Sequence, residues 1–278
     1  MNGVFNTFLR VVLPTSILSV EHHLLLKSIR IHQVARWTSI FGVSEVLFYR
    51  EPTTSMDEFG EHELLIKDHW DYFFTPPYLR RKLVPIKPSL KYVGMLPPIR
   101  LEVFNVYKKP REGELRIGYV YRGRDGFLAL IGDKAPYVVE NNCPREGLVV
   151  VRVKNVERHL VECVDTPIYT GPRLIFTSSF REALEESRAS SDVVVATDRN
   201  GKVVSVEDVV GIRGKRVSIL FGSPKYDLFE IAMRDGLELR DHVDYVWNTV
   251  PGQRVVSIRT EEALIITLGV INVFLRVM

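Results

Sequence analysis

The chain has 278 residues, 46% of them hydrophobic and 26% charged, with a net charge of +3. That balance excludes an intrinsically disordered chain and suits one large domain or two smaller ones. The longest strongly apolar run, Ala263 to Leu275, is shorter than the about 20 residues a membrane span needs; it also carries Thr267 and Asn272, so it reads as a buried helix and no membrane partner is expected.

The first fifty residues read as strand, helix, strand. Phe8 to Leu13 is short and β-branched, and Pro14-Thr15 punctuates it. From Val20 to Phe41 an apolar stripe runs through Leu25, Leu26, Ile29, Val34, Trp37 and Ile40, and Gly42 supplies a helix stop. Val43 to Tyr49 is a buried strand. Such a βαβ unit predicts a parallel sheet covered by helices. With Arg10 inside its apolar stretch, the beginning of the chain is not read as a signal peptide.

Ser55 to Lys82 reads as mostly helical, broken at Pro76-Pro77, and Val84 to Ile99 holds four prolines and reads as a stiff linker. Between Tyr72 and Leu101 there is no acidic residue, while Arg80, Arg81, Lys82, Lys87 and Lys91 are basic and Tyr78 and Tyr92 interleave with them. Cations alternating with aromatic rings suit phosphate contacts and base stacking, so this segment is a candidate nucleic-acid-binding surface, the plainer alternative being a solvated loop whose lysines confer solubility.

The period then changes. Arg116 to Arg122, Gly126 to Ile131, Tyr137 to Val139, Leu148 to Val153 and His159 to Val164 are five short strands with glycines between them. They predict a small inserted barrel, OB-fold-like or SH3-like, within an α/β chain. After Pro172 strands are expected at Leu174 to Thr177, Val193 to Thr197, Val217 to Phe221 and Val243 to Trp247. Helices are expected at Phe180 to Ser187, Asp227 to Arg234 and Thr260 to Phe274. The expected division is 1–98, 99–164 and 165–278. Cys143 and Cys163 have no metal or CxxC spacing and read as buried thiols, which suits a cytoplasmic protein; the histidines show no convergent pattern, so no metal is expected.

Two loops behind late strands concentrate polar groups: Phe221-Gly222-Ser223-Pro224, and Asn248-Thr249-Val250-Pro251-Gly252-Gln253 leading into Ile258-Arg259-Thr260-Glu261-Glu262. In an open α/β sheet, ligands bind beyond the carboxyl ends of the strands, where both would lie. Plain structural roles also exist for them: Ser223 capping a helix that begins at Pro224, and Thr260 capping the last helix. With no GxGxxG after the first strand and no Walker lysine, a dinucleotide or P-loop site is not expected.

Phe221-Gly222-Ser223-Pro224 with Asp227-Leu228-Phe229-Glu230 resembles the FGSP…GL.E motif of the archaeal and eukaryotic uridine-N3 RNA methyltransferase family of the SPOUT superfamily. Asn248 to Gln253 with Ile258-Arg259-Thr260-Glu261-Glu262-Ala263-Leu264 resembles its NT.PGQ…VRTEEAL signature, and Tyr78 to Leu83 with Leu90 to Pro98 its YLRK.LFP…LKYAGLLPP segment. The resemblance implies an α/β fold with a SPOUT trefoil-knot methyltransferase domain and an inserted OB-fold-like β-barrel. It implies S-adenosyl-L-methionine as cofactor, held by Phe221, Gly222, Ser223, Asn248, Thr249, Val250, Pro251, Gly252, Gln253, Ile258, Arg259 and Thr260. Ribosomal or transfer RNA is the implied substrate, and a homodimer forms through the knot helices. Within that frame Arg199, in the loop after Val193 to Thr197, is the candidate for steering phosphate or stabilising an anionic ring, and Glu230 and Glu262 are the candidate bases or orienting groups. The sequence departs from the family pattern at Asp227 and Arg254, where glycine is usual. Those departures leave a second reading, a knotted RNA-binding or ribosome-assembly protein without turnover.

Overall fold

The computed structural model describes residues 8–140, 143 and 145–276. Strand β1 (Leu9–Pro14) leads through a short turn to helix α1 (Leu24–Ile40), strand β2 (Glu45–Tyr49), α2 (Met56–Phe74) and α3 (Pro77–Leu83). Five strands follow: β3 (Leu115–Arg122), β4 (Phe127–Leu130), β5 (Tyr137–Val139), β6 (Gly147–Asn155) and β7 (Leu160–Cys163). The chain then runs β8 (Arg173–Thr177), α4 (Phe180–Ser190), β9 (Val193–Val203), α5 (Val206–Val210) and β10 (Val217–Leu220). It ends with α6 (Leu228–Arg234), β11 (Tyr245–Asn248) and α7 (Thr260–Arg276).

Two compact units result. One comprises the residues up to Trp70, Ser89–Leu96 and those from Gly171 on; the other comprises Asp71–Pro88 and Pro97–Thr170. Residues 71–88, expected within the 1–98 segment, therefore pack with the barrel.

The first unit is a six-stranded sheet in the order β11-β9-β10-β1-β2-β8, and every neighbouring pair is parallel. Val11, Val12 and Leu13, and likewise Val194, Val195 and Ala196, are fully buried, as strands with both faces covered must be. Val12, Leu47, Ala196 and Leu220 form one core cluster with Phe180, Leu184, Leu228 and Ile231 of α4 and α6. Gly42, at φ +66°, ends α1 in the left-handed conformation that a side chain would resist. At the amino-terminal ends of three adjacent strands, Arg10, Glu45 and Arg173 stand in register. Glu45 accepts from the Nε of both arginines at 2.8 Å, and Arg10 also donates to the Glu186 carbonyl at 2.9 Å. Arg10 is buried on β1 because its charge is paired and its donors are used.

The second unit contains a closed barrel, β3-β4-β5-β7-β6, in which all pairs are antiparallel except β5 with β7. Numbered within the barrel, the order is 1-2-3-5-4, the Greek-key arrangement of an OB-fold. Tyr137, Val120, Ala129, Val151 and Val161 fill its interior.

Two expectations are corrected and one helix is added. The strand beginning at Val193 does not stop at Thr197 but runs to Val203, and α5, capped reciprocally by Ser205 and Asp208, had no apolar stripe long enough to announce it. Cys143 and Cys163 are not separate thiols but are joined in a disulfide, their Cα atoms 5.4 Å apart. Closure of the barrel brings together two residues 20 apart in sequence, which spacing alone does not reveal.

Candidate active site

Both polar loops lie at the carboxyl edge of the parallel sheet, and they meet. The loop after β10 is pinned at successive residues. Tyr49 donates its hydroxyl to the Phe221 carbonyl at 3.0 Å, and Thr260, the first residue of α7, donates its own to the Gly222 carbonyl at 2.8 Å. Ser223 accepts at Oγ from the Tyr226 amide at 3.0 Å. Ser223 therefore closes a turn rather than capping a helix; α6 begins later, at Leu228, where Asp227 and Glu230 form a capping box. A Cβ on Gly222 would come within 3.0 Å of the Tyr226 carbonyl oxygen, so glycine here allows the loop to fold tightly on itself.

The loop after β11 is held from the other side. Asn248 donates from Nδ2 to the Arg199 carbonyl at 2.8 Å and accepts at Oδ1 from the Val250 amide at 2.9 Å. Thr249 and Thr267 share a buried hydroxyl bond of 2.7 Å, which ties the loop to α7. Gln253 donates to the Val255 carbonyl at 3.0 Å. Further on, Glu262 accepts from the Arg259 amide at 3.0 Å, so Glu262 rather than Thr260 caps α7, and Thr260 is free to join the loops.

Between them opens a cavity of about 270 Å³, near the lower end of the range for small-molecule sites. Of the residues singled out by sequence, Phe221, Gly222, Ser223, Asn248, Thr249, Val250, Gln253, Ile258 and Thr260 line it, as do Arg199 and Glu230. Pro251, Gly252, Arg259 and Glu262 do not. Pro251 and Gly252 form the exposed turn, with Gly252 at φ +70°, and Arg259 points to Glu21 at 3.6 Å. Glu230 lines the cavity with a carboxylate that accepts from the Asp227 amide at 3.1 Å. Both candidate bases thus serve as helix-capping groups.

Arg199 reaches the cavity by a route the sequence reading missed. The register of β9 against β11 jumps from Ala196↔Val246 to Lys202↔Trp247, so residues 197–201 bulge out of the ladder. The bulge carries Thr197, Asp198 and an exposed Arg199 to the cavity wall. Asp198 is also new to the site. Burial foremost, and then the nearby Asp227 charge, push its carboxyl up, against the opposing Asn200 amide and Arg199 cation. Trp247, fully buried, lines the cavity with an indole N–H that has no partner. Its place at the end of a β-branched strand, one residue before Asn248, was the available signal.

The five basic candidates divide between the two units. In the barrel unit Arg80 donates to the Thr75 and Phe73 carbonyls and stacks over Tyr72 at 4.5 Å, closing the end of α2. Burial lowers its basicity. Arg81 and Lys82 are exposed and Lys87 half-buried; in the α/β unit, Lys91 is exposed and lies 5.2 Å from the Tyr92 ring centre. Among the described residues no cluster of three or more His, Cys, Asp or Glu could hold a metal, and no helix is long and apolar enough to cross a membrane.

The family model described as "Putative RNA methyltransferase" matches residues 9–271. A protein of Halobacterium salinarum is 28% identical over 262 residues, covering 85% of this chain and 88% of that one. A Haloarcula marismortui protein is 28% identical over 255 residues, covering 84% and 88%. The human 28S rRNA (uridine-N(3))-methyltransferase is 25% identical over 296 residues, covering 95% of this chain and 77% of that enzyme.

Proposed function

Since this chain belongs to the RNA methyltransferase family whose model spans residues 9–271, we propose that it transfers a methyl group from S-adenosyl-L-methionine to N3 of a uridine in ribosomal RNA, the reaction for which its human relative is named. The observation that carries the reading is the meeting of the two signature loops around one cavity, joined by the Thr260–Gly222 bond.

The residues present fit a sulfonium nucleoside. Such a ligand carries hydroxyl and heterocyclic acceptors and a net positive charge. The cavity offers the unpartnered Trp247 N–H, the carboxylates of Asp198 and Asp227, and the main chain of three loops. The loops at 221–223, 248–250 and 258–260 would hold the nucleoside, with Trp247 as their floor. When bound, the group supplies an electrophilic methyl carbon. This chain's own part is to align it with the acceptor base and exclude water, the positioning that in-line displacement chiefly needs. Arg199, exposed at the rim, is placed to meet a phosphate or an anionic ring.

Arg81, Lys82, Lys87 and Lys91 make the phosphate contacts, with Arg80 ordering the segment. The carboxyl-terminal segment threads through its own domain as a trefoil knot, and two chains pair through the knot helices. Supporting that pairing, Ile266 and Val273, two turns apart on α7, are exposed, as are Leu26 and Ile40 on α1. Asp227, one of the departures from the family pattern, caps α6 without obstructing the cavity, which favours turnover over a binding-only role.

The deciding experiment is incubation with isotope-labelled S-adenosylmethionine and RNA, followed by nucleoside mass spectrometry. Labelled 3-methyluridine is the expected product; label in another nucleoside refutes the assigned target atom, and none at all with a correctly folded protein refutes the activity.

A further inference from the structure

Methylation at a uridine N3 requires that nitrogen to lose its proton, and the two carboxylates expected to take it are both engaged in helix caps. The sheet offers another. Glu51 sits just beyond β2 and is only 3% exposed. One of its oxygens accepts from the Thr53 hydroxyl at 3.3 Å, and the other, Oε2, has no donor. Ser16 occupies the corresponding place just beyond β1; it too is buried, and its hydroxyl has no partner. A buried polar atom left without a partner is costly, and two such atoms lining one cavity call for an explanation.

Both residues line a cavity of about 100 Å³ at the carboxyl ends of β1 and β2. Pro224, Lys225 and Tyr226 form part of its wall, and the same three residues line the larger cavity. The two cavities thus share one loop, and β1 lies between β10 and β2 in the sheet. Ligands of open parallel sheets bind along this edge. Its volume is that of about three water molecules, which admits the imide edge of a pyrimidine while the sugar stays outside.

We infer that this cavity is the subsite for the acceptor base, with Glu51 receiving the N3–H of uracil and Ser16 donating to a flanking carbonyl. The inference rests on the methyltransferase reading above and names the group that completes it. A carboxylate facing position 3 matches uracil, which presents a donor there. It opposes cytosine, which presents a lone pair. The soft terminal torsion of a glutamate lets either oxygen turn toward the base. In the reaction the N3–H bond breaks and its proton passes to the Glu51 carboxylate. The freed N3 pair bonds to the methyl carbon, and the carbon–sulfur bond breaks with its electrons left on sulfur, giving a neutral thioether. Glu51 then returns the proton to water. Lys225, exposed on the shared loop, supplies a cation near the transient ring anion.

The test reads binding before activity. Fluorescence anisotropy with oligouridylate and oligocytidylate, each with S-adenosylhomocysteine present, is expected to show about a tenfold preference for uridine in the wild type. Glu51→Gln is expected to abolish that preference while its calorimetric affinity for S-adenosylmethionine stays within twofold. On RNA, Glu51→Gln should slow single-turnover methylation by about 10²-fold or more near neutral pH, with the deficit shrinking at alkaline pH as the imide ionises unaided. Ser16→Ala, a milder change suited to the case in which Glu51→Gln does not fold, should weaken oligouridylate binding several-fold. Absence of a uridine preference in the wild type, or its survival in both variants, overturns the inference. Failure of the wild type to bind S-adenosylmethionine would instead overturn the methyltransferase reading, and the uridine preference would still decide this one.

Discussion

Replacing Thr260 with valine removes one hydroxyl and keeps the β-branched shape, so it isolates the bond that joins the two signature loops. Thr260 is buried and donates to the Gly222 carbonyl at 2.8 Å, 38 residues away in sequence. The substitution forfeits a hydrogen bond of about 1 kcal/mol net and leaves a carbonyl under-satisfied, for a total of about 1–3 kcal/mol. In a domain of this size each kcal/mol lowers the melting temperature by about 2–4 °C, so a drop of about 2–12 °C is expected. Should about 1 kcal/mol of that appear as lost loop preorganisation, S-adenosylmethionine binding weakens about fivefold. Differential scanning calorimetry and isothermal titration calorimetry measure the two quantities separately. Thr260→Ser, which keeps the donor, should stay close to the wild type in affinity. A valine variant that melts and binds like the wild type would show that the loops hold their positions without this bond, and the account of the site as a cavity closed by it would fail.

Three further outcomes test the scaffold. Glu45→Ala removes the buried counter-charge of Arg10, leaving it only the half-exposed Glu186 carboxylate at 3.2 Å, and should destabilise by about 3 kcal/mol in urea unfolding; a loss under 1 kcal/mol would mean that Glu186 or water satisfies Arg10 without Glu45. Gly201→Ala would place a Cβ 2.8 Å from the Val246 carbonyl oxygen, an overlap with main chain that cannot rotate away. It should cost about 1–3 kcal/mol and weaken cofactor binding by displacing Trp247; unchanged values for both would refute the tight β9–β11 bulge. Burial, then the Lys27 charge, holds His62 down at about 4, from 6.5. Its folded value lies below its unfolded one, so the stability it contributes is complete above 6.5 and is lost as pH falls from 6.5 through about 4. Allowing for solvent screening, that contribution is on the order of 2 kcal/mol. Melting temperatures across this window should flatten in His62→Leu, and an unaltered slope would exclude His62 as its source.

What the sequence disclosed and what it hid divide along a physical line. Strands buried on both faces, such as Val11-Val12-Leu13 and Val193 to Ala196, announce themselves through composition, because both sides of a parallel sheet must be apolar. The five barrel strands did so through alternation between glycine turns. The two signature loops were legible as polar stretches directly behind such strands, and sheet topology then required them to share an edge. The bulge that brings Asp198 and Arg199 to the cavity was hidden, because it depends on how β9 registers against β11, a strand more than forty residues later. The roles of Glu230 and Glu262 were hidden for a related reason: a carboxylate three residues into a helix looks the same in sequence whether it caps an amide or waits for a substrate, and only the hydrogen bond distinguishes them. Glu51 and Ser16 are the converse case. Each follows a strand, as many turn residues do, and nothing in their type or spacing marks them. They stand out because, in a fold that satisfies Arg10 with three acceptors, Glu51 Oε2 and Ser16 Oγ are buried without a partner and line one cavity. Unpaired polarity inside a well-paired interior is a property of the packed chain, and here it occurs at the sheet edge where chemistry is expected.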